Sequence, residues 1–162
     1  MRAVRSANLL LLIISLLLAL LLEVAPMPNA LQEWRPLWLA LVLSYWALET
    51  PHNFRIGLAW LTGIAQDVLY GSLLGFHGLF LVFVVFVILL LQQRLRMFPH
   101  WQQAFFLTLV FVAGQLVLLW LGELTGTRTK LMEFLLPALI SGLLWPWVYM
   151  IMHGLHRLFS RK

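Results

Sequence analysis

Six runs of apolar residues, separated by short clusters of charge, proline and glycine, occupy almost the whole of this 162-residue chain. A soluble domain of this length has no interior large enough to hide six such runs, whereas lipid solvates them directly. Composition agrees: 62% of residues are hydrophobic and 10% charged, against about 45–50% and about 25% in ordinary soluble domains. The expected fold class is therefore an all-α integral membrane protein, one domain over residues 1–162 with six transmembrane helices. The spans are expected at about 7–24, 36–49, 55–71, 77–92, 103–121 and 134–152. What remains is short connections, with no room for an extramembrane domain.

The first run, Leu9 to Leu22, follows Arg2 and Arg5 and ends at Glu23. It reads as an uncleaved anchor because Pro26 and Pro28 interrupt the small residues near Ala25 and five more spans follow. The second run, Leu37 to Leu48, starts after Pro36, whose fixed φ suits a first helical turn. Its twelve residues rise only about 18 Å against a hydrocarbon core of about 30 Å. Trp34, Trp38, Tyr45 and Trp46 are therefore expected near the interfaces, or the bilayer must thin around them. The fourth run holds Val82, Val84, Val85, Val87 and Ile88. In lipid such a β-branched stretch still reads as helix, since the backbone must satisfy its own hydrogen bonds.

Six crossings put both termini on one side. That side carries Arg2, Arg5, Arg55, Arg94, Arg96, Arg157, Arg161 and Lys162; the other carries Arg35, Arg128 and Lys130. Eight of the eleven basic residues thus favour cytoplasmic N and C termini. The net charge of +5 comes from groups beside spans, not from a stripe or arm, which argues against nucleic acid. With no cysteine in the chain, disulfides and thiolate metal sites are excluded.

Asp67 is the one acid well inside an apolar run. Steps of four residues place Ala59, Gly63, Asp67 and Gly71 along one helix face, which reaches Gly75 if the helix continues. Small residues let a neighbouring backbone approach closely, so this seam is the expected seat of a partner helix, with ordinary packing as the competing reading. Gln66 and Gln115 are candidate polar contacts within the bundle. Glu49, His52 and Arg55 form a turn that could dock a cytoplasmic partner or simply be solvated. Ser72 near His77 lacks the Gly-x-Ser-x-Gly elbow of a nucleophile, and no third group is assigned to orient the histidine, so a turn is expected. His153 and His156 share a helix face without a third ligand nearby, so no metal is expected. Trp145-Pro146-Trp147 is expected to kink the last helix, its tryptophans serving as interfacial anchors or shaping a groove.

Arg35-Pro36-x-Trp38, Tyr45-Trp46, Pro51-His52, the glycine-spaced third span with Asp67, Trp101-Gln102-Gln103 and Leu144-Trp145-Pro146-Trp147 together resemble the MreD family of Gram-negative bacteria over nearly the full length. The resemblance implies a multi-pass inner-membrane scaffold of the elongasome, which builds the lateral cell wall and its peptidoglycan. It implies binding to MreC, a single-span protein with a large periplasmic part, and through it links to MreB, RodZ, RodA and its partner transpeptidase. It implies no enzymatic activity and no cofactor. It also implies a fold similar to the substrate-binding subunits of energy-coupling-factor transporters. That similarity keeps a second function class open, a small-molecule-binding or transporter subunit in which Asp67, Gln66 and Gln115 line an internal cavity. A homo-oligomer is also compatible with the sequence.

Overall fold

The computed structural model of the protein describes the backbone of residues 2–49, 54–127 and 130–160, and side chains within 8–49, 56–127 and 130–159. It is all-helical: α1 (Arg2–Val24), a 3₁₀ segment (Asn29–Trp34), α2 (Trp38–Glu49), α3 (Phe54–Tyr70), α4 (Phe76–Met97), α5 (His100–Leu124) and α6 (Leu131–Ser160). The helices fall where the apolar runs do. The last three extend several residues beyond the expected spans, because Arg94, Arg96, His100 and Arg157 continue their helices past the apolar stretch. Phe76–Met97, His100–Leu124 and Leu131–Phe159 are each long and apolar enough to cross a membrane, and Asn8–Val24 is a shorter apolar helix.

Helix ends alternate between two ends of the bundle. One gathers the end of α1, the start of α2, the end of α3 and the start of α4; there Glu23 meets Leu39 and Gln66. The other gathers the end of α2, the end of α4 and the start of α5, where Leu48 meets Arg96. α3 packs on α4 and α5 on α6, while α2 lies against α1, α4 and α6. The outer surface is apolar: Leu17, Leu21, Leu90, Phe105, Trp120 and Leu143 are all exposed. That is the arrangement lipid requires.

The second helix departs from expectation in an informative way. Residues Leu39 to Leu48 are all buried, including Tyr45 and Trp46, so these two aromatics belong to the core. Trp46 Nε1 donates to Ser15 Oγ of α1 at 3.0 Å, and Tyr45 O–H lies 3.3 Å from His156 Nδ1 of α6. A short helix leaves orphan amides and carbonyls at membrane depth, which lipid cannot satisfy. Here neighbouring helices satisfy them. Glu23 Oε2 accepts from Leu39 N at 2.9 Å and Ser141 Oγ from Leu37 N at 2.7 Å. At the other end Leu48 O accepts from Gln92 Nε2 at 2.9 Å and Arg96 Nε at 2.6 Å. α2 is thus a buried central strut whose open ends are closed by its neighbours.

Trp145 is likewise fully buried, with Nε1 donating to Gln103 Oε1 at 3.3 Å, so it is no interfacial anchor. Trp147, two residues on, is exposed. Pro137 and Pro146 both lie inside α6. Ser141 Oγ reaches the Pro137 carbonyl at 2.6 Å, one turn away.

Candidate functional site: a closed seam and a polar cavity

Between α3 and α4 the small-residue face does what small residues permit, but within the chain. Ala59 and Asp67 have no exposed surface. A Cβ built on Gly63 would lie 2.6 Å from Gly78 N and 3.0 Å from the His77 carbonyl carbon, and closer still to Gly78 Cα. The two backbones are therefore in direct contact. The seat expected for a partner helix is filled by α4. Gly71 leaves the face altogether: α3 ends at Tyr70, and Gly71 and Gly75 take φ of +65° and +93°, the left-handed region where glycine stops a helix at little cost.

Asp67 organises that turn. Its Oδ1 accepts from His77 N at 3.0 Å and Ser72 Oγ at 2.8 Å and lies 2.6 Å from His77 Nδ1; its Oδ2 accepts from Gly75 N at 2.8 Å. Four donors on one buried carboxylate make an N-terminal cap for α4 delivered from α3, since Gly75 supplies no side-chain cap of its own. Asp67 is thus the group that orients His77, a role left unassigned from sequence. The trio still has the wrong geometry for nucleophilic catalysis. Ser72 Oγ bonds the carboxylate and lies 3.5 Å from the same Nδ1 that Asp67 holds, whereas a serine nucleophile needs the opposite ring nitrogen as base.

Glu23 was legible only as a charge flanking the first span, yet it is buried and ties three helices together. Oε1 accepts from Gln66 Nε2 at 2.9 Å, Oε2 caps α2, and its backbone carbonyl accepts from Tyr70 O–H at 2.7 Å and from Arg35. Arg35 also donates to Ala25 O, so its guanidinium closes the carbonyl end of α1. The sequence signal was present: an acid at a helix C-terminus sits against the macrodipole and needs a reason.

Gln66, Gln115, Glu23, Arg35, His77 and Glu133 are among the residues lining a cavity of about 190 Å³ at this end of the bundle. Gln66 and Gln115 thus share a cavity, but Asp67 is not among its lining residues. At the opposite end, Tyr149 O–H donates to Glu49 Oε1 at 2.8 Å. His52 and the side chain of Arg55, the other two residues of the expected docking turn, lie outside the described residues. His153 stacks on Tyr149 at a centroid distance of 5.6 Å. Among the described residues no group of three or more metal-ligating side chains occurs.

An apolar exterior, long apolar helices and polar groups consumed in joining helices together define a multi-pass helical membrane protein. The family pattern of rod shape-determining protein MreD matches residues 4–155. A rod shape-determining protein MreD from Haemophilus influenzae is 38% identical over 141 residues, 86% of either chain. No solved structure matches. The chain belongs to the MreD family.

Proposed function

We propose that this protein is an inner-membrane scaffold of the elongasome, supporting rod shape and lateral peptidoglycan synthesis by holding the transmembrane helix of MreC, with MreB, RodZ, RodA and its partner transpeptidase reached through that contact. Family membership supports the rod-shape role, and the bundle's interior supports a positional mode of action. The observation that carries the reading is that the polar side chains of the two ends are spent on helix ends, as Glu23, Arg35, Gln92 and Arg96 are, leaving an apolar outer surface for a partner.

Because α4 occupies the Gly63 seam, the partner helix belongs elsewhere. The best seat is the groove between α1, α2 and α6, about 270 Å³, walled by Ile14, Leu18, Leu22, Val148, Ile151 and Leu155. Small Ser15 and Ala19 lie at its floor, which is the composition that close helix approach needs in lipid. The end holding Arg94, Arg96 and Arg157 faces the cytoplasm. Co-purification with MreC from detergent tests the reading: Leu18→Trp and Ile151→Trp, which fill the groove, should reduce recovery of MreC, while Leu109→Trp on exposed α5 should not. Equal recovery in all three would remove the groove. Reporter fusions at Phe76 and Thr127 should report a periplasmic position, and one at Pro99 a cytoplasmic one.

A further inference from the structure

Glu49 and Arg96 share a cavity without pairing. It lies at the end of the bundle opposite Glu23 and has a volume of about 330 Å³, within the roughly 300–1,000 Å³ of small-ligand sites. Glu49 at the end of α2, Arg96 in the last turn of α4, His100 and Gln103 in the first turn of α5, and Tyr149 of α6 are among its lining residues. Among the described residues Arg96 makes no salt bridge, the one ion pair there being His77 with Asp67. Other partners hold each charge in place. Arg96 Nε donates to Leu48 O at 2.6 Å, and Glu49 Oε1 accepts from Tyr149 O–H at 2.8 Å.

Both groups keep capacity for a ligand. Arg96 is exposed and its two terminal nitrogens bond nothing among the described residues, so they remain for an oxyanion. Glu49 Oε2 is likewise without a partner among the described residues and remains for a donor-bearing cation. His100, also exposed, adds a ring nitrogen beside Arg96, while Gln103 is spent on Leu95 O, Phe98 O and Trp145 Nε1. α2 ends at Glu49 and α5 begins at His100, so the carbonyl pole of one helix and the amide pole of another border the same volume. Those poles favour positive charge on the Glu49 side and negative charge on the His100 side. Met97 and Trp101, next in sequence to Arg96 and His100, are exposed, which puts apolar surface at the same end as the polar volume.

We infer that this cavity seats the headgroup of an ethanolamine phospholipid, its phosphodiester on Arg96 and His100, its ammonium on Glu49 and its acyl chains along Met97 and Trp101. A primary ammonium brings three donors to the carboxylate; a trimethylammonium brings none, and an anionic headgroup would leave Glu49 unpaired. Arg94 and Arg157, basic at the same end, are not among the lining residues. They attract anionic lipid without reading its headgroup, and salt screens that attraction. The cavity shares no lining residue with the groove proposed for MreC, so the failure of either leaves the other standing.

Native mass spectrometry of the delipidated full chain tests the site. Phosphatidylethanolamine, phosphatidylcholine and phosphatidylglycerol with matched acyl chains are offered in equal amounts, in detergent and concentrated ammonium acetate. The wild type should retain the ethanolamine lipid over each of the other two by about tenfold, the factor that one hydrogen bond to a charged group supplies. Glu49→Gln, which keeps an acceptor for Tyr149, should bring the ethanolamine and choline lipids level. Glu33→Gln, exposed in the 3₁₀ segment at the other end, should change nothing. Excess glycerophosphoethanolamine, the same headgroup without chains, should not displace the lipid. The inference is overturned if the wild type retains the three lipids alike or prefers phosphatidylglycerol, if Glu49→Gln keeps the preference, if Glu33→Gln loses it equally, or if the soluble headgroup displaces the lipid.

Discussion

A single methyl group on Gly63 asks whether α3 and α4 are in backbone contact. In Gly63→Ala the new Cβ would stand 2.6 Å from Gly78 N and 3.0 Å from the His77 carbonyl carbon, where ordinary contact begins at 3.4 Å. Both neighbours are backbone, and the Gly78 Cα is nearer still, so no side chain can rotate away and the helices must separate by more than an ångström. Overpacking of this kind costs about 1–3 kcal/mol. The same substitution gains up to about 1 kcal/mol of helix propensity, so a control is needed that gains propensity without the clash. Gly57→Ala supplies it, because a Cβ there meets nothing within 4 Å. At this chain length 1 kcal/mol moves the midpoint by about 2–4 °C, which puts Gly63→Ala several degrees below Gly57→Ala in nanodisc thermal denaturation. If the two variants melt together, or Gly63→Ala melts higher, the closed seam is refuted.

Two further outcomes follow from neighbouring contacts. Gly142→Ala would drive a Cβ into Thr108 on α5, nearest its Oγ1 and 2.8 Å from its Cβ; it should destabilise the protein, and Thr108→Ala, which removes the hydroxyl but keeps that Cβ, should restore part of the loss, a coupling that a double-mutant cycle of melting temperatures measures. Asp67→Ala strips four donors of their acceptor, two of them backbone amides of the α3–α4 turn, and should cost more than about 3 kcal/mol. Asp67→Asn keeps one acceptor oxygen and should fall between, as read from the folded fraction after size-exclusion chromatography.

The six helices were legible because lipid demands long apolar runs, and the β-branched stretch of α4 obeyed that demand over its intrinsic propensity. The role of α2 was not legible. Twelve residues suggested a strained or thinned span, because the sequence shows length but not who caps the ends; Glu23, Ser141, Gln92 and Arg96 come from three other helices. Asp67 stood out as an intramembrane acid with small residues around it, and spacing alone could not say whether the adjoining backbone belonged to a partner or to the next helix of the same chain. The two left-handed glycines, Gly71 and Gly75, carried the answer, since they turn α3 straight back as α4 and bring Gly78 against Gly63. Gln66 and Gln115 line one cavity without Asp67, and Glu23 and Arg35 were missed there because each also reads as an ordinary span-flanking charge.

Site-specific photocrosslinking to MreC in growing cells tests the scaffold account most directly, with a photoreactive residue placed in turn at Leu18, Ile151, Leu61 and Leu109. Crosslinks from Leu18 and Ile151, and none from Leu61 beside the closed seam or from Leu109, are the predicted result. Crosslinking through Leu61 with silence at Leu18 and Ile151 would contradict it.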